Sequence, residues 1–178
     1  MTFVAPEPIR WRDERLELLD QRLLPGQTSY EPQTGIDSVW TAIRSLKVRG
    51  APAIGIAAAY GLVVAMQPYR PASGAEFFAA LDRGVLRLRT ARPTAVNLGW
   101  ALDRIRRAAR TVPRASGAAL YAPIKHEAEQ IHAEDRAMCR AIGEAGLPLI
   151  KPGVGILTHC NAGALAVSQL GTATAPMY

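Results

Sequence analysis

Val48-Arg49-Gly50-Ala51-Pro52-Ala53-Ile54-Gly55-Ile56-Ala57-Ala58-Ala59-Tyr60-Gly61-Leu62-Val63-Val64-Ala65-Met66 decides how the rest of the chain is read. Proline has its φ fixed near the helical value and lacks the N–H that a first helical position leaves unpaired, so Pro52 marks a helix start. From there to Met66 no polar face interrupts the apolar run, which predicts a helix buried on all sides at the centre of the fold. The longest apolar stretch, residues 53–66, is about 14 residues and interrupted by glycine, where crossing a bilayer takes roughly 20. The expectation is a core helix, with no membrane partner.

The flanking segments read as layers around that helix. Apolar residues at 36, 39, 40, 43 and 46 predict a helix over 36–46. Residues 75–90 and 95–112 have helical spacing with arginines on the outer side, and Thr94 is placed to cap the second. A long helix over 117–145 turns Ile124, Ala128, Ile131, Met138 and Ile142 inward and stops near Gly143 or Gly146, ahead of Pro148. At the N-terminal end, residues 9–20 alternate apolar and polar on both sides of Asp13-Glu14, as a short antiparallel hairpin does, and a polar stretch then leads to Gly35. After a linker from Gly146 to Gly153, Val154–His159 predicts a short strand that turns into a helix rich in small residues. A parallel sheet needs a crossover of a dozen or more residues per neighbouring strand, and the chain stops at Tyr178. The expected architecture is therefore a mainly α N-terminal domain with a small antiparallel β element (1–145), followed at 146–178 by a linker and the first strand and helix of a truncated Rossmann-like α/β domain. The alternative is that the strand joins the N-terminal hairpin or a partner chain.

Composition narrows the function classes. With 178 residues and 49% hydrophobic content the chain can bury a real core. Its two cysteines, Cys139 and Cys160, read as free thiols in a reducing compartment. The N-terminus lacks a basic segment followed by an apolar stretch, so a cytoplasmic protein is expected. The net charge of +6 comes almost wholly from arginine, whose planar fork suits phosphate or carboxylate. Basic charge also raises nucleic acid, but only 6% of residues are aromatic and no zinc-finger, basic-zipper or RNA-recognition signature is present, so no nucleic-acid partner is expected. His126 and His132 are six apart on a helix and face different ways, which argues against a metal site. A Walker lysine loop and a Gly-x-Gly-x-x-Gly fingerprint are both absent, which gives no support to a nucleotide cofactor.

Three places carry candidate chemistry. In Arg49-Gly50-Ala51-Pro52 a glycine turn opens onto a helix N-terminus with a guanidinium beside it, a pattern that can cradle phosphate, with Gly50 letting backbone approach the ligand. The plainer alternative is a loop-to-helix turn with a solvated arginine. In Ala91-Arg92-Pro93-Thr94, Arg92 offers a second fork at a second helix start; the alternative is an arginine that is simply exposed. In Thr158-His159-Cys160-Asn161, Cys160 falls where a strand meets a helix N-terminus, whose partial positive charge favours thiolate and where α/β folds bind ligands. Its alternative is a small buried hydrophobe. His159 would point to the opposite face of the strand, so a Cys-His dyad of neighbours is not expected. Asn161 fits as the cap of the following helix or as a contact to a substrate hydroxyl.

Together, Val48–Gly55, Ala91–Leu98 and Leu157–Gly163, with Ile9-Arg10-Trp11 and Leu18–Pro25, closely resemble the S-methyl-5-thioribose-1-phosphate isomerases. That family shares a superfamily with the regulatory subunits of translation initiation factor 2B and the archaeal ribose-1,5-bisphosphate isomerases. The resemblance implies an aldose-to-ketose conversion of a sugar 1-phosphate in methionine salvage, without metal or organic cofactor, in a homodimer. It implies that Arg49, Gly50, Ala51 and Arg92 hold the substrate, chiefly its phosphate, and that Cys160 acts at the sugar carbons. It leaves open whether hydrogen moves as a proton through an enediolate or as a hydride. It further implies a catalytic aspartate and an Asn-Lys pair from a Rossmann-like C-terminal domain, to which no motif here corresponds. Weak or absent turnover by this chain alone is therefore expected, since such groups act as a unit.

Overall fold

In the computed structural model, which describes residues 6–112 and 115–178, Asp13 and Glu14 both take left-handed backbone (φ 51° and 58°) and fold β1 (Ile9–Arg12) back onto β2 (Arg15–Leu19). Positive φ at both central positions is what a two-residue hairpin requires, because that turn's twist matches the strands'. Arg12 therefore pairs with Arg15, and Ile9 with Leu18. Leu16 and Leu18, two apart, go to the same buried face. A third strand not anticipated from the sequence, β3 (Tyr30–Gln33), pairs antiparallel with β2 and completes the sheet in the order β1-β2-β3. Pro32 is tolerated there because an edge strand has a free side on which a missing N–H costs no ladder bond. The reading of the N-terminus as free of a leader rests partly on residues 1–5, which lie outside the described residues.

Five helices follow: α1 (Ile36–Arg44), α2 (Ala51–Met66), α3 (Gly74–Arg89), α4 (Val96–Arg110) and α5 (Gly117–Gly146). As predicted, α2 is the axis. Nearly every side chain from Ala53 to Met66 is buried, and the other four helices and the sheet pack around it. With the 3-10 turn Gln67–Tyr69 it makes a stretch of 19 residues, long and apolar enough to cross a membrane by length and composition, yet 72% of its apolar 18-residue window is buried inside this fold. Gly55 brings α4 against it: a Cβ there would lie 2.9 Å from the Asn97 carbonyl oxygen. On the outside, Arg104 of α4 pairs with Glu127 and Glu134 of α5.

Three expectations are corrected. The N-cap of α4 is Ala95 and not Thr94, which is exposed in the preceding turn and makes no capping bond. Met138 and Ile142 are exposed; the buried face of α5 runs Ile124, Ala128, Ile131, His132, Asp135, Cys139, and its helical period carries 138 and 142 round to the side. Val154–His159 forms no strand: among the described residues it has no neighbouring strand, so its peptide groups face water. Nor does a long helix follow. Left-handed backbone at Cys160, Gly163, Leu170 and Gly171 interrupts helical propagation, and only the 3-10 turns Ala164–Ala166 and Ala175–Met177 form.

Candidate functional site

The N-termini of α2 and α4 lie side by side through the Gly55–Asn97 contact, which brings the Arg49 turn and the Arg92 loop to the same end of the helical layer. Neither helix start has a side-chain cap; the Leu98 N–H in the first turn of α4 bonds the Ala95 carbonyl, and the exposed Ala51 begins α2. Arg49 is exposed, and its Nη2 donates to Asn161 Oδ1 at 3.4 Å across 112 residues of sequence. That contact places the Cys160-Asn161 segment over the α2 turn. Arg92 is half-buried and lines a hollow of about 260 Å³ with Arg89, Thr90, Pro93, Ala95, Leu98 and Gly99, without Arg49 or Cys160. The two guanidinium groups thus share an end of the fold but not a pocket.

Gly50 is needed for a different reason from the one expected. A Cβ on it would fall 2.1 Å from the Ala166 Cα, so the close approach it permits is that of the C-terminal segment and not of a ligand. Ala51, next to it, is exposed at the first helical position. The segment is held at further points that sequence reasoning missed. Gln21 Nε2 donates to the Leu165 carbonyl at 2.9 Å, and the Ser168 N–H donates to the buried Asp135 carboxylate at 2.7 Å. A signal for Asp135 was present: a carboxylate on the apolar face of a helix, three residues after His132, has to find a donor inside.

The structure separates the two cysteines. Both are free thiols; Cys139 is buried, 4.0 Å from Asp135 Oδ2, and burial pushes its thiol up to about 11, with the Asp135 charge adding to the effect. That group is inert as a nucleophile. Cys160 is exposed and sits at φ 68°, a region that a non-glycine residue occupies at a cost of about 1–3 kcal/mol and that clusters at functional sites. The helix expected to begin beside it is absent, so neither a helix dipole nor a capping role for Asn161 applies here. The strand geometry that set His159 apart from Cys160 is absent too; among the described residues no hydrogen bond joins them. No cluster of three or more His, Cys, Asp or Glu side chains suited to a metal occurs among the described residues.

Between α2, α4 and α5, next to the Arg49 turn, is an apolar hollow of about 220 Å³. Pro52, Ile56, Trp100, Ile131 and Met138 wall it, with Asn97 and the Glu134 and Asp135 carboxylates at its edge.

A sequence profile of the initiation factor 2 subunit family matches residues 47–176, a span that begins one residue before the Arg49 motif and includes Arg92, Cys160 and the anchored segment. The chain belongs to that family. Among its relatives, a protein of Bacillus thuringiensis (strain Al Hakam) described as a 5-deoxyribose 1-phosphate isomerase is 48% identical over 171 residues, 96% of this chain and 49% of the relative. The crystal structure of a 5-methylthioribose 1-phosphate isomerase from Pyrococcus horikoshii OT3 superposes with a TM-score of 0.89 at 34% identity, over 96% of this chain and 48% of that one. A translation initiation factor eIF-2B delta subunit from A. fulgidus superposes with a TM-score of 0.85 at 35% identity, over 94% and 48%. The chain thus spans about half the length of the relatives it matches, and the likeness includes the N-terminal sheet that the family profile leaves out.

Proposed function

We propose that this chain carries the phosphate-binding and cysteine-bearing part of a sugar 1-phosphate isomerase, with S-methyl-5-thioribose 1-phosphate as substrate and its 1-phosphoketose as product. The observation that carries this reading is the Arg49–Asn161 contact, which brings a guanidinium and an uncapped helix N-terminus to the segment bearing an exposed, strained Cys160. In the reading, Arg49 and the Ala51 backbone at the start of α2 hold the phosphate, Gly50 seats the C-terminal segment beside it, Arg92 reaches the ester from its neighbouring hollow, Asn161 meets a sugar hydroxyl and Cys160 acts at C1 and C2. The anomeric oxygen carries the phosphate, so the ring must open at the C1–O4 bond before rearrangement. O4 gains a proton, the hydrogen on C2 ends on C1, and the C2 hydroxyl loses its proton to become a ketone. The reaction is internally balanced and calls for no external oxidant. The apolar hollow beside the Arg49 turn supports a methylthio substituent, because Pro52, Ile56, Trp100, Ile131 and Met138 line it.

We further read the enzyme as a cytoplasmic homodimer. Residues 146–178 are, in this reading, the junction to a Rossmann-like domain of the kind the family's longer members carry, with 154–170 gaining its strand and helix when neighbouring strands pair with it. A second reading, favoured by the likeness to the eIF-2B delta subunit, is a non-catalytic module that packs against a related subunit. Carbon NMR of the chain with S-methyl-5-thioribose 1-phosphate, 5-deoxyribose 1-phosphate and ribose 1,5-bisphosphate, alone and together with the C-terminal half of a longer relative, decides between them. Ketose formation in either sample, falling about 10²-fold or more in Cys160→Ser, supports the isomerase. A folded, fully supplemented sample that binds none of the three esters, and in which Cys160→Ser and Arg92→Ala change nothing, favours the interaction module.

A further inference from the structure

Away from that site, three guanidinium groups converge on a single carboxylate. Arg10 and Arg12 of β1 and Arg136 of α5 surround Glu7, with Arg10 Nε 4.0 Å, Arg12 Nη2 3.7 Å and Arg136 Nη2 3.7 Å from its oxygens. Each separation exceeds a direct hydrogen bond, so Glu7 balances one charge of three and satisfies none of the donors closely. The buried Nε atoms of Arg10 and Arg136 have no partner among the described residues. These side chains line a hollow of about 250 Å³ whose walls are almost wholly polar and whose floor is Trp11, Tyr60 and His132.

His132 is the most telling of these. It is 5% exposed, its ring is part of the lining of the hollow, its Nδ1 is 3.2 Å from the Tyr60 hydroxyl, and its Nε2 is buried without a partner among the described residues. The assignment that leaves fewest groups unpaired has Tyr60 donating to Nδ1, which puts the imidazole proton on Nε2, the ring atom left without an acceptor. Trp11 fixes Tyr60 by stacking on it at 4.7 Å. The other carboxylate nearby, Glu129, already accepts from Trp11 Nε1 at 3.2 Å and faces Lys125. What remains is a set of donors without a matched acceptor.

We propose that this hollow is a binding site for a phosphate-type oxyanion, held by Arg10, Arg12, Arg136 and the His132 Nε2–H, with Glu7 as the internal carboxylate that the incoming anion displaces. Planar guanidinium forks and a neutral imidazole N–H are the donors that suit a tetrahedral dianion. The space exceeds several times the roughly 30 Å³ that a water occupies, which leaves room for the group with part of its hydration. The site is distinct from the proposed isomerase centre: Tyr60 is nine residues along α2 from Ala51, roughly 13 Å along the helix axis.

The test is a titration of the full chain, labelled with nitrogen-15 in histidine, with inorganic phosphate near neutral pH and at ionic strength held constant with sodium chloride. The expected result is a saturable movement of the His132 ring-nitrogen signals, with those of His126 and His159 unmoved. Arg12→Gln with Arg136→Gln weakens binding about tenfold or more, as loss of two charge-assisted contacts requires, and Glu7→Gln tightens it. Arg49→Ala leaves the titration unchanged, so failure of the isomerase reading and failure of this one are separately visible. Repeating it with a sugar 1-phosphate identifies the source: equal midpoints assign the bare phosphate group, and a tighter midpoint assigns an ester whose organic part rests on Trp11. His132 signals that stay in place while the amide spectrum remains dispersed, an equal response to chloride alone, or unaltered affinity in the double-arginine variant overturns the proposal.

Discussion

His132 packs edge-on against Tyr60, ring centroids 5.6 Å apart, and burial pushes its ionisation from the ordinary 6.5 down to about 4, with the Arg136 charge acting in the same direction. The fold accepts this side chain only as the neutral imidazole. Above pH 6.5 folded and unfolded chains both hold it neutral, and nothing is lost. Between 6.5 and about 4 the unfolded chain takes up a proton that the folded chain refuses, so stability falls as pH falls, by about 3 kcal/mol in all. Urea unfolding at neutral pH and near pH 4.5 should show that loss, and His132→Phe should remove most of the pH dependence. The same scale shows the limit of residue identity as a guide. Two cysteines that look alike in the sequence become one inert thiol packed on Asp135 and one exposed thiol on left-handed backbone. Cys139 falls two turns after His132 on the buried face of α5, a spacing that helical period explains, whereas nothing local to residues 154–166 reveals that Cys160 is strained.

At the scale of elements, α2 was legible because its apolar run, its proline start and its lack of a polar face all agree, and the structure places it from Ala51 to Met66. Strand β3 was not, since Tyr-Glu-Pro-Gln has no apolar alternation and is a strand only because β2 offers it an open edge. The C-terminal segment is the opposite case: a β-like, apolar run that pairs with no strand among the described residues, although β1 and β3 each keep a free edge. What orders the residues after it is a set of contacts to α2 and α5, among which the Asp135–Ser168 bond is charge-assisted and buried. Asp135→Ala should cost about 2 kcal/mol, the worth of a hydrogen bond to a charged group. Hydrogen exchange would report it locally, with the amides of 164–170 exchanging faster while those of α2 keep their protection.

The whole molecule buries its core around α2 and leaves several large apolar side chains outside. Trp100 and Met138 line one hollow, Leu147 and Leu149 are exposed after α5, and Leu157 is 98% exposed. Exposed apolar side chains in that number favour association. Sedimentation velocity should give a weight-average mass that rises with concentration, and Leu149→Lys with Leu157→Lys should return it towards the monomer. The sequence by itself determined the helical layer, the hairpin at Asp13-Glu14, the central place of α2 and the family to which the three motifs point, because proline positions, hydrophobic period and turn residues act over a few neighbours at most. Only the tertiary structure decided that Gly50 accommodates Ala166, that Arg49 meets Asn161, that Asp135 holds Ser168 and that three arginines gather about Glu7 and His132. Each of those includes a pairing of residues tens to more than a hundred positions apart, and such pairings are set by how the packed helices bring surfaces together, a property that no local pattern encodes.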